Sequence, residues 1–206
     1  MNLSLDQLCQ MMPNLPIARS QEAHPYLCQA MEEFDISTSP YNICAFIAQL
    51  AHESGELRYM EEIASGQAYD NRADLGNTRP EAIEAARAHN TTPGRFYKGH
   101  GPLQVTGYDN HKRVGDKLGI DTVNNPGLLA TFEYGFRAAG LYWKDEGLSS
   151  LAVQDMKLVK LAVRKGGVVS VPAFHAISYK VNGGWNGRDE RLRYYVRNKK
   201  VMGLKT

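Results

Sequence analysis

Three glutamates close together in the sequence carry the type of side chain that acid–base catalysis uses. Glu53 follows His52, and Glu61 and Glu62 come eight and nine residues after Glu53. On one uninterrupted helix, Glu53 and Glu62 would lie about 13 Å apart on opposite faces, so cooperation requires a turn, for which Gly55 is suited. Two carboxyl groups about 6.5–9.5 Å apart suit an inverting glycosidase, in which one protonates the leaving oxygen and the other activates a water. The alternative is an exposed helix end with solvated charges.

A second candidate segment is rich in glycine and in polar side chains. Within residues 99–110, polar residues recur at every second position: Gln104, Thr106, Tyr108 and Asn110. In an extended segment these four side chains would project on one side and form a wall suited to ligands rich in hydroxyl and amide groups. The glycines would let the backbone approach a ligand closely. The alternative is a glycine-rich turn whose polar residues are incidental.

Capping residues and apolar spacing predict the helices that must position these groups. Ser39 and Pro40 are typical of a helix start, and apolar residues follow at i, i+3, i+4 and i+7 from Ile43, so a helix is expected to run to about Gly55. Ser4 opens a shorter helix with a capping box. Further helices are predicted at residues 25–34, 80–88, 110–118, 131–145, 157–165, 173–181 and 189–202.

The segments between these helices contain residues that break regular structure. Residues 64–78 are rich in Gly, Asn and Asp and are predicted to be a loop. Residues 96–108 contain too many glycines for a helix, and a short strand at residues 103–105 is the regular element they permit. The fold is therefore predicted to be one mainly α domain with at most a small sheet.

Charge is distributed unevenly along the chain. The net charge of the whole chain is +2, but the two parts of the chain differ in sign. Residues 1–156 contain 12 Lys/Arg and 20 Asp/Glu, whereas residues 157–206 contain 12 Lys/Arg and 2 Asp/Glu. The basic part is rich in cations near its end: Arg188, Arg191, Arg193, Arg197, Lys199 and Lys200. Such a cluster could bind a polyanion, but the acidic remainder argues against nucleic acid, and a solvated helix face is the alternative.

The cysteines and the N-terminus point to a protein without disulfides or a leader. The spacing of Cys9, Cys28 and Cys44 fits neither a zinc site nor a disulfide scaffold, so buried free thiols are expected. No run approaches the roughly 20 apolar residues of a membrane-spanning helix. The N-terminus lacks a basic segment and carries Asp6 where a signal peptide would be apolar.

Four segments together resemble glycoside hydrolase family 19, which includes chitinases and phage or bacterial endolysins. The matching segments are residues 48–62, 97–110, 124–143 and 181–191, in the order of the family. The resemblance implies a lysozyme-like α-helical fold with at most a small β-sheet or hairpin beside the active-site cleft. It further implies a single catalytic domain over residues 1–206, made of an N-terminal helical segment, 1–39, and a family 19-like region, 40–203.

The resemblance also assigns roles position by position. It makes Glu53 the general acid, Glu62 the general base and Thr106 the residue that helps to hold the attacking water; Glu61 is the alternative base. Residues that fall on substrate-binding positions are Gln104, Tyr108, Asn110, Tyr97, His52, Asn182 and Arg191. Of these, Arg191 would keep the base ionised, and His52 is expected to orient its neighbours rather than to react.

One position departs from the pattern of the family. The family commonly has Arg where this chain has His100, between two glycines. A fixed cation would thereby become a titratable one, with consequences for binding or for pH dependence.

The function implied by the resemblance is hydrolysis of β-1,4 bonds between N-acetylated aminosugars. The short, disulfide-free chain resembles an endolysin that cleaves the glycan strands of peptidoglycan, is made as a monomer in the host bacterial cytoplasm, and reaches the periplasm through a holin-type pore protein. Alternatives are a chitinase, a lytic transglycosylase and a non-catalytic polyanion-binding protein. Neither a metal nor an organic cofactor is implied, because water, an acid and a base suffice.

Overall fold

A computed structural model of the chain describes residues 3–164 and 166–206. These residues form α-helices and one two-stranded antiparallel sheet, which confirms the mainly α fold. The helices are α1 (Leu5–Met11), α2 (Ile17–Glu33), α3 (Pro40–Ser54), α4 (Pro80–Ala88), α5 (Pro93–Phe96), α6 (Tyr108–Leu118), α7 (Phe132–Asp145), α8 (Leu148–Ala152), α9 (Ala173–Asn182) and α10 (Arg188–Val201), and the strands are β1 (Leu158–Ala162) and β2 (Val168–Pro172). They divide between two compact units: the first contains the chain up to Glu56 together with Gly140–Thr206, and the second contains Leu57–Ala139.

Helix α3 is the centre of the first unit. It is buried on nearly every side, and α10 packs along it. Its apolar face contacts Trp143, whose ring meets that of Phe46 edge-on at a centroid distance of 5.1 Å. Asn198 of α10 donates a hydrogen bond to the carbonyl of Cys44, 3.0 Å away. Because α3 is held from several sides, its C-terminal end, which carries Glu53, has a defined position.

The starts and ends of the first helices follow the predicted signals. Ser4 accepts from the backbone of Gln7, and the Gln7 side chain accepts from the backbone of Ser4, which completes the predicted capping box. Helix α3 begins at Pro40 and ends before Gly55, which adopts a left-handed conformation with φ of 57°. Turning the chain at this point costs a glycine little, because it has no Cβ.

Helix α2 begins earlier than predicted. The sequence placed its start at Pro25, but the helix begins at Ile17 and contains Pro25 in its interior. A proline within a helix removes one backbone hydrogen bond. The helix is maintained because it buries a stripe of side chains on one face, Ser20, Ala23, Leu27, Ala30 and Met31.

The predicted helix at residues 157–165 is wrong, because this segment contains strand β1. Strand β1 pairs antiparallel with β2, with Leu158 opposite Pro172 and Ala162 opposite Val168. Alternate side chains of β1, including Leu161, pack against Tyr179 of α9 while their neighbours face solvent. Gly166 and Gly167, in the connection between the strands, both have positive φ.

The second unit consists of short elements around a small core of Ala82, Tyr97 and Tyr108. Helix α4 has the predicted bounds. Residues 64–78 contain two short 3₁₀ turns, Gln67–Tyr69 and Ala73–Leu75. In place of the predicted strand at residues 103–105, Val105 forms one isolated bridge with His100, which forms another with Glu61.

Candidate active site

In the first unit, Glu53 is bound by an arginine from the far end of the chain. Its Oε1 accepts a short hydrogen bond from Nη2 of Arg191, while Oε2 has no hydrogen-bond partner among the described residues. The arginine side chain is fully buried, and the Glu53 side chain is 22% exposed. The carboxyl group is thus held at one oxygen and unbonded at the other. Arg191, expected to keep the base ionised, is paired instead with the predicted acid.

A chain of buried polar groups fixes the guanidinium of Arg191. Its Nη1 donates to Oε1 of Gln49 at 2.6 Å. The amide nitrogen of Gln49 donates to the hydroxyl of Ser178 at 3.1 Å, and this hydroxyl donates to the carbonyl of Phe174 at 3.1 Å. Buried polar groups satisfied in such a series strongly favour one geometry. Neither Gln49 nor Ser178 shows a local sequence signal for this role, because the residues that they connect are far apart in the chain.

His52 lies against the loop that precedes α10. Its Nδ1 is 3.0 Å from Oε2 of Glu190, and its side chain is 18% exposed. A Cβ added at Gly187 would lie 2.3 Å from the ring. Burial, reinforced by the charge of Arg191, lowers the pKa of His52 below its usual value, although Glu190 opposes the shift. The ring is therefore neutral near pH 7, and these contacts support an orienting role.

Glu56, two residues after the end of α3, is a buried anchor. Its Oε2 accepts from the backbone of Asn14 at 2.6 Å, and its Oε1 accepts from the Asn14 side chain and from the hydroxyl of Tyr194, each at 2.9 Å. Burial and this hydrogen bond raise the pKa of Tyr194. Glu56 thereby ties the loop after α1 to α10, the helix that carries Arg191.

In the second unit, Glu62 is held by neutral hydrogen-bond donors. Its Oε2 accepts from the backbone N–H of Gly99 and its Oε1 from the hydroxyl of Tyr69, each at 3.0 Å. The Glu62 backbone N–H in turn donates to the carbonyl of Gly99 at 2.8 Å. Burial and the bond to Glu62 raise the pKa of Tyr69, which keeps this phenol a donor. Both carboxylate oxygens of Glu62 are therefore positioned.

Glu61 has a different environment from Glu62. Its side chain is 50% exposed and forms an ion pair with Lys98, with Oε1 2.8 Å from Nζ. An exposed ion pair of this kind is worth little energy. Of the two candidate bases, Glu62 is the one whose orientation the fold controls.

Three predicted residues near Glu62 are linked by hydrogen bonds. The amide of Asn110 donates to the carbonyl of Thr106 at 2.8 Å, and the Thr106 hydroxyl donates to the carbonyl of Gln104 at 3.2 Å. The Gln104 side chain folds back against Gly99, where a Cβ would lie 2.2 Å from Oε1 of Gln104. The structure therefore brings these half-buried side chains beside the glycine that binds Glu62.

The expected extended segment is wrong, because helix α6 begins at Tyr108 and places Tyr108 and Asn110 on a helix. Tyr97 is also corrected: it is fully buried, and its hydroxyl donates to the carbonyl of Val123 at 2.7 Å. Tyr108 is 6% exposed and packs edge-on against Tyr97 at 5.4 Å. Both rings build the core of this unit, so Tyr97 supports the site without facing a ligand.

His100 is buried and paired with a second histidine. Its Nδ1 lies 3.0 Å from Nε2 of His111, whose Nδ1 lies 2.8 Å from the carbonyl of Gly107. Because that carbonyl can only accept, His111 donates to it, and His100 donates to His111. Burial lowers the pKa of His100 to about 4 and that of His111 to about 3. The residue between the two glycines is therefore uncharged near neutral pH, and not a cation that titrates there.

Polar residues in the basic part of the chain differ in exposure, and Lys199 is more buried than the charge pattern predicted. Asn182 is the last residue of α9 and is exposed, whereas Arg191, also expected at a substrate-binding position, is fully buried. Lys199, expected to face outward, is 3% exposed, and its Nζ lies 3.0 and 2.8 Å from the two carboxylate oxygens of Asp155. Lys200 is exposed. Lys199 therefore stabilises the first unit.

The cysteines are free, and Cys44 alone of the three is fully buried, where burial raises the pKa of its thiol to about 12. Within residues 3–164 and 166–206, no group of three or more His, Cys, Asp or Glu side chains is arranged to hold a metal ion. None of the described helices is long and apolar enough to cross a membrane.

Comparison with known proteins relates this chain to chitinases. Residues 21–205 match the glycoside hydrolase 19 family, described as Chitinase class I. Endochitinase At2g43620 of Arabidopsis thaliana is 27% identical over 192 residues, which cover 90% of this chain and 56% of the relative. Inactive chitinase-like protein 1 of Hevea brasiliensis is 26% identical over 174 residues, covering 79% and 55%. The chain thus spans little more than half the length of these relatives.

A solved structure shares the fold. Chitinase C from Streptomyces griseus superposes with a TM-score of 0.69 at 21% identity, and the match covers 98% of this chain and 93% of that protein. At this level of identity, the likeness concerns the arrangement of the backbone.

Proposed function

Since this chain belongs to glycoside hydrolase family 19, we propose that it hydrolyses β-1,4 bonds between N-acetylated aminosugars by an inverting acid–base mechanism. The observation that carries the proposal is the contact between Glu53 and Arg191. A fully buried guanidinium, fixed by Gln49, is aimed at a partly exposed carboxyl group whose second oxygen is open. The guanidinium orients Glu53 and stabilises the carboxylate that remains once the proton has been donated, which suits a general acid at this position.

In the proposed reaction, Glu53 donates a proton from its open oxygen, Oε2, to the leaving glycosidic oxygen. Glu62 accepts a proton from the water that attacks the anomeric carbon, and Thr106 helps to hold that water. The environment of Glu62 supports the role of base, because the donors that orient it are neutral and leave its negative charge available. After the reaction Glu53 is ionised and Glu62 protonated, and exchange with solvent resets both.

For the substrate, we propose the glycan strands of peptidoglycan, cleaved on the reducing side of N-acetylmuramic acid. Two features support this choice. The three cysteines are free, so the described fold needs no oxidising compartment. The part of the chain after residue 156 has 12 Lys/Arg and 2 Asp/Glu; Arg191 and Lys199 are paired with Glu53 and Asp155, and the exposed cations that remain favour anionic polymers of the cell envelope. The proposed physiological role is that of a monomeric endolysin, made in the bacterial cytoplasm and admitted to the cell wall by a separate pore-forming protein.

Chitin is the second candidate substrate, because relatives of this chain carry the names of endochitinases. The family alone does not establish catalysis, since two relatives are named inactive chitinase-like proteins.

Product analysis tests the proposal. Purified Gram-negative sacculi and soluble chitin are incubated with the protein, and the products are identified by mass spectrometry and by NMR of the new reducing ends. We expect muropeptides that end in N-acetylmuramic acid with inverted anomeric configuration. Cleavage of chitin alone would overturn the peptidoglycan assignment, and 1,6-anhydro ends would show a lytic transglycosylase instead of a hydrolase.

A further inference from the structure

The connection between β1 and β2 presents a guanidinium without a protein partner. Arg164 follows β1 and is exposed. Its backbone N–H donates to the hydroxyl of Tyr179 at 2.8 Å, which fixes the main chain at this point. Its guanidinium forms no hydrogen bond or ion pair with the part of the chain that the structure describes. Five N–H donors in a planar fork are therefore available to a ligand.

This guanidinium lies over the double glycine of the family motif. A Cβ added at Gly183 would lie 2.6 Å from Cζ, Nη1 and Nη2 of Arg164, so the charged group rests on a position that only glycine leaves open. Gly183 also has a φ of 74°, which a glycine adopts readily. The preceding residue is Asn182, whose exposed amide falls on a substrate-binding position of the family. The unpaired cation is thus adjacent to an expected sugar contact.

An exposed aromatic ring completes this surface. Trp185 is 41% exposed, and one side of its ring packs against Tyr179 at a centroid distance of 4.7 Å. Tyr179 is buried in a cluster with Leu161 and Ala176, so it gives Trp185 a rigid support. A tryptophan held in this way offers a flat apolar face on which a sugar ring can stack.

The same surface continues toward Glu53 within the first unit. Residues 185–190 line a shallow cavity of about 460 Å³. At the far end of these residues, Glu190 lies 3.0 Å from His52, the neighbour of Glu53 in α3. The residue at one end of this cavity therefore contacts the neighbour of the proposed acid.

We propose that Arg164 and Trp185 form a subsite for an aminosugar that carries a carboxylate-bearing substituent. Trp185 stacks on the sugar ring, and Arg164 binds the carboxylate. This inference rests on the proposed function and deepens it: stem peptides give peptidoglycan free carboxylates, whereas chitin is uncharged. Arg164 thereby favours peptidoglycan over chitin.

The β1–β2 hairpin is held in place without the guanidinium of Arg164. The strands are attached to α9 through apolar side chains, among them Val159, Leu161, Val169 and Val171. Replacing the guanidinium should therefore leave the fold intact.

The test compares Arg164→Gln with a matched control, Arg87→Gln. Arg87 is an exposed cation of α4, outside the basic part of the chain, and it forms no ion pair with the described residues. Values of kcat and KM are measured on soluble peptidoglycan fragments with intact stem peptides and on chitin oligosaccharides. We expect Arg164→Gln to lower the ratio of kcat/KM for peptidoglycan to that for chitin about three- to tenfold, through KM, as suits one partly exposed ionic contact. The control should leave the ratio unchanged.

Salt provides a second readout. Raising the salt concentration should lower the preference of the unmodified protein for peptidoglycan and have little effect on that of Arg164→Gln, because screening removes the same interaction. An equal loss on both substrates, no loss on either, or the same loss in Arg87→Gln would overturn the inference.

A binding measurement separates this inference from the proposed function. The dissociation constant of a disaccharide-peptide is measured by calorimetry for Glu53→Gln alone and with Arg164→Gln or Trp185→Ala added. Weaker binding in both double variants than in Glu53→Gln alone supports the subsite. This holds even if the unmodified protein hydrolyses nothing, because absence of hydrolysis would overturn only the proposed function. Hydrolysis of peptidoglycan with unchanged binding in both double variants would leave the proposed function standing and overturn the subsite.

Discussion

The two proposed catalytic glutamates are held by different kinds of contact. Glu53 is bound by a buried cation that lies 138 residues away in the sequence. Glu62 is bound by neutral donors that lie 7 and 37 residues away. A guanidinium orients the carboxyl group and also stabilises its negative charge, whereas a phenol and a backbone N–H mainly orient it. The comparison indicates that the first carboxyl group depends on the packing of the whole first unit, and the second on a local loop.

The largest expected effect is that of Glu53→Gln. The amide keeps the size of the side chain but cannot donate the required proton, so hydrolysis of peptidoglycan should fall by about 10²-fold or more. Dye release from labelled sacculi measures this loss, and a cooperative unfolding transition, at a lower midpoint because Arg191 loses its anionic partner, shows that the variant still folds. Glu22→Gln, a change at an exposed residue of α2, is the control. Retention of full lysis by Glu53→Gln would rule out catalysis at this residue.

In the second unit, Glu62→Gln and Glu61→Gln form a matched pair at adjacent positions. We expect the first to lower activity about 10²-fold, because it removes the oriented base, and the second to lower it less than about threefold. The same dye-release assay measures both. If the larger loss followed Glu61→Gln, the base would be the exposed residue paired with Lys98, and orientation by the loop would lose its importance.

Arg191→Met tests the dependence of Glu53 on the buried cation. Breaking a buried pair leaves Gln49 and Glu53 without their partner, so the free energy of unfolding should fall by about 3–5 kcal/mol, and activity should fall as well. Urea denaturation measures the first effect. Arg191→Lys keeps the charge but loses the fork that reaches two acceptors, and it should restore only part of the stability. Full stability in Arg191→Met would show that the network is dispensable.

Acid should destabilise the protein through His100 and His111. Their pKa values in the folded state are about 4 and about 3, below the usual 6.5. Between pH 6.5 and 4 the unfolded chain binds protons that the folded chain does not, so the free energy of unfolding falls as pH falls. The loss from His100 alone is about 3 kcal/mol. Denaturation midpoints across this range should show a weaker pH dependence in His100→Gln, whereas His89→Gln, at an exposed position, should behave like the unmodified protein.

The smallest expected effect is that of Tyr69→Phe. It removes one neutral donor to Glu62 and should cost about 0.5–1.5 kcal/mol of stability, with a loss of activity of a few fold. The backbone N–H of Gly99 still holds the other oxygen. An effect as large as that of Arg191→Met would erase the distinction between the two carboxyl groups.

The local part of the fold could be predicted because its signals lie within a few residues of one another. The capping box at Ser4, the proline start and glycine end of α3, and the bounds of α4 follow from contacts between neighbours in the chain. The errors arose where distant partners decide the outcome. Residues 158–162 are a strand because β2 pairs with them, and α2 extends through Pro25 because its apolar face is buried.

The sequence by itself determined the family, the mainly α fold and the identities of Glu53, Glu62, Thr106 and Arg191 as candidates, because these depend on residue types and their order. The tertiary structure alone decided which partner each candidate has. It placed Arg191 on Glu53, made His100 a neutral partner of His111, and buried Lys199 against Asp155. Periodicity and spacing describe neighbours along the chain. Hydrogen bonds between residues more than a hundred positions apart form only after the chain has folded. The same is true of the burial that shifts the pKa of a group such as His100.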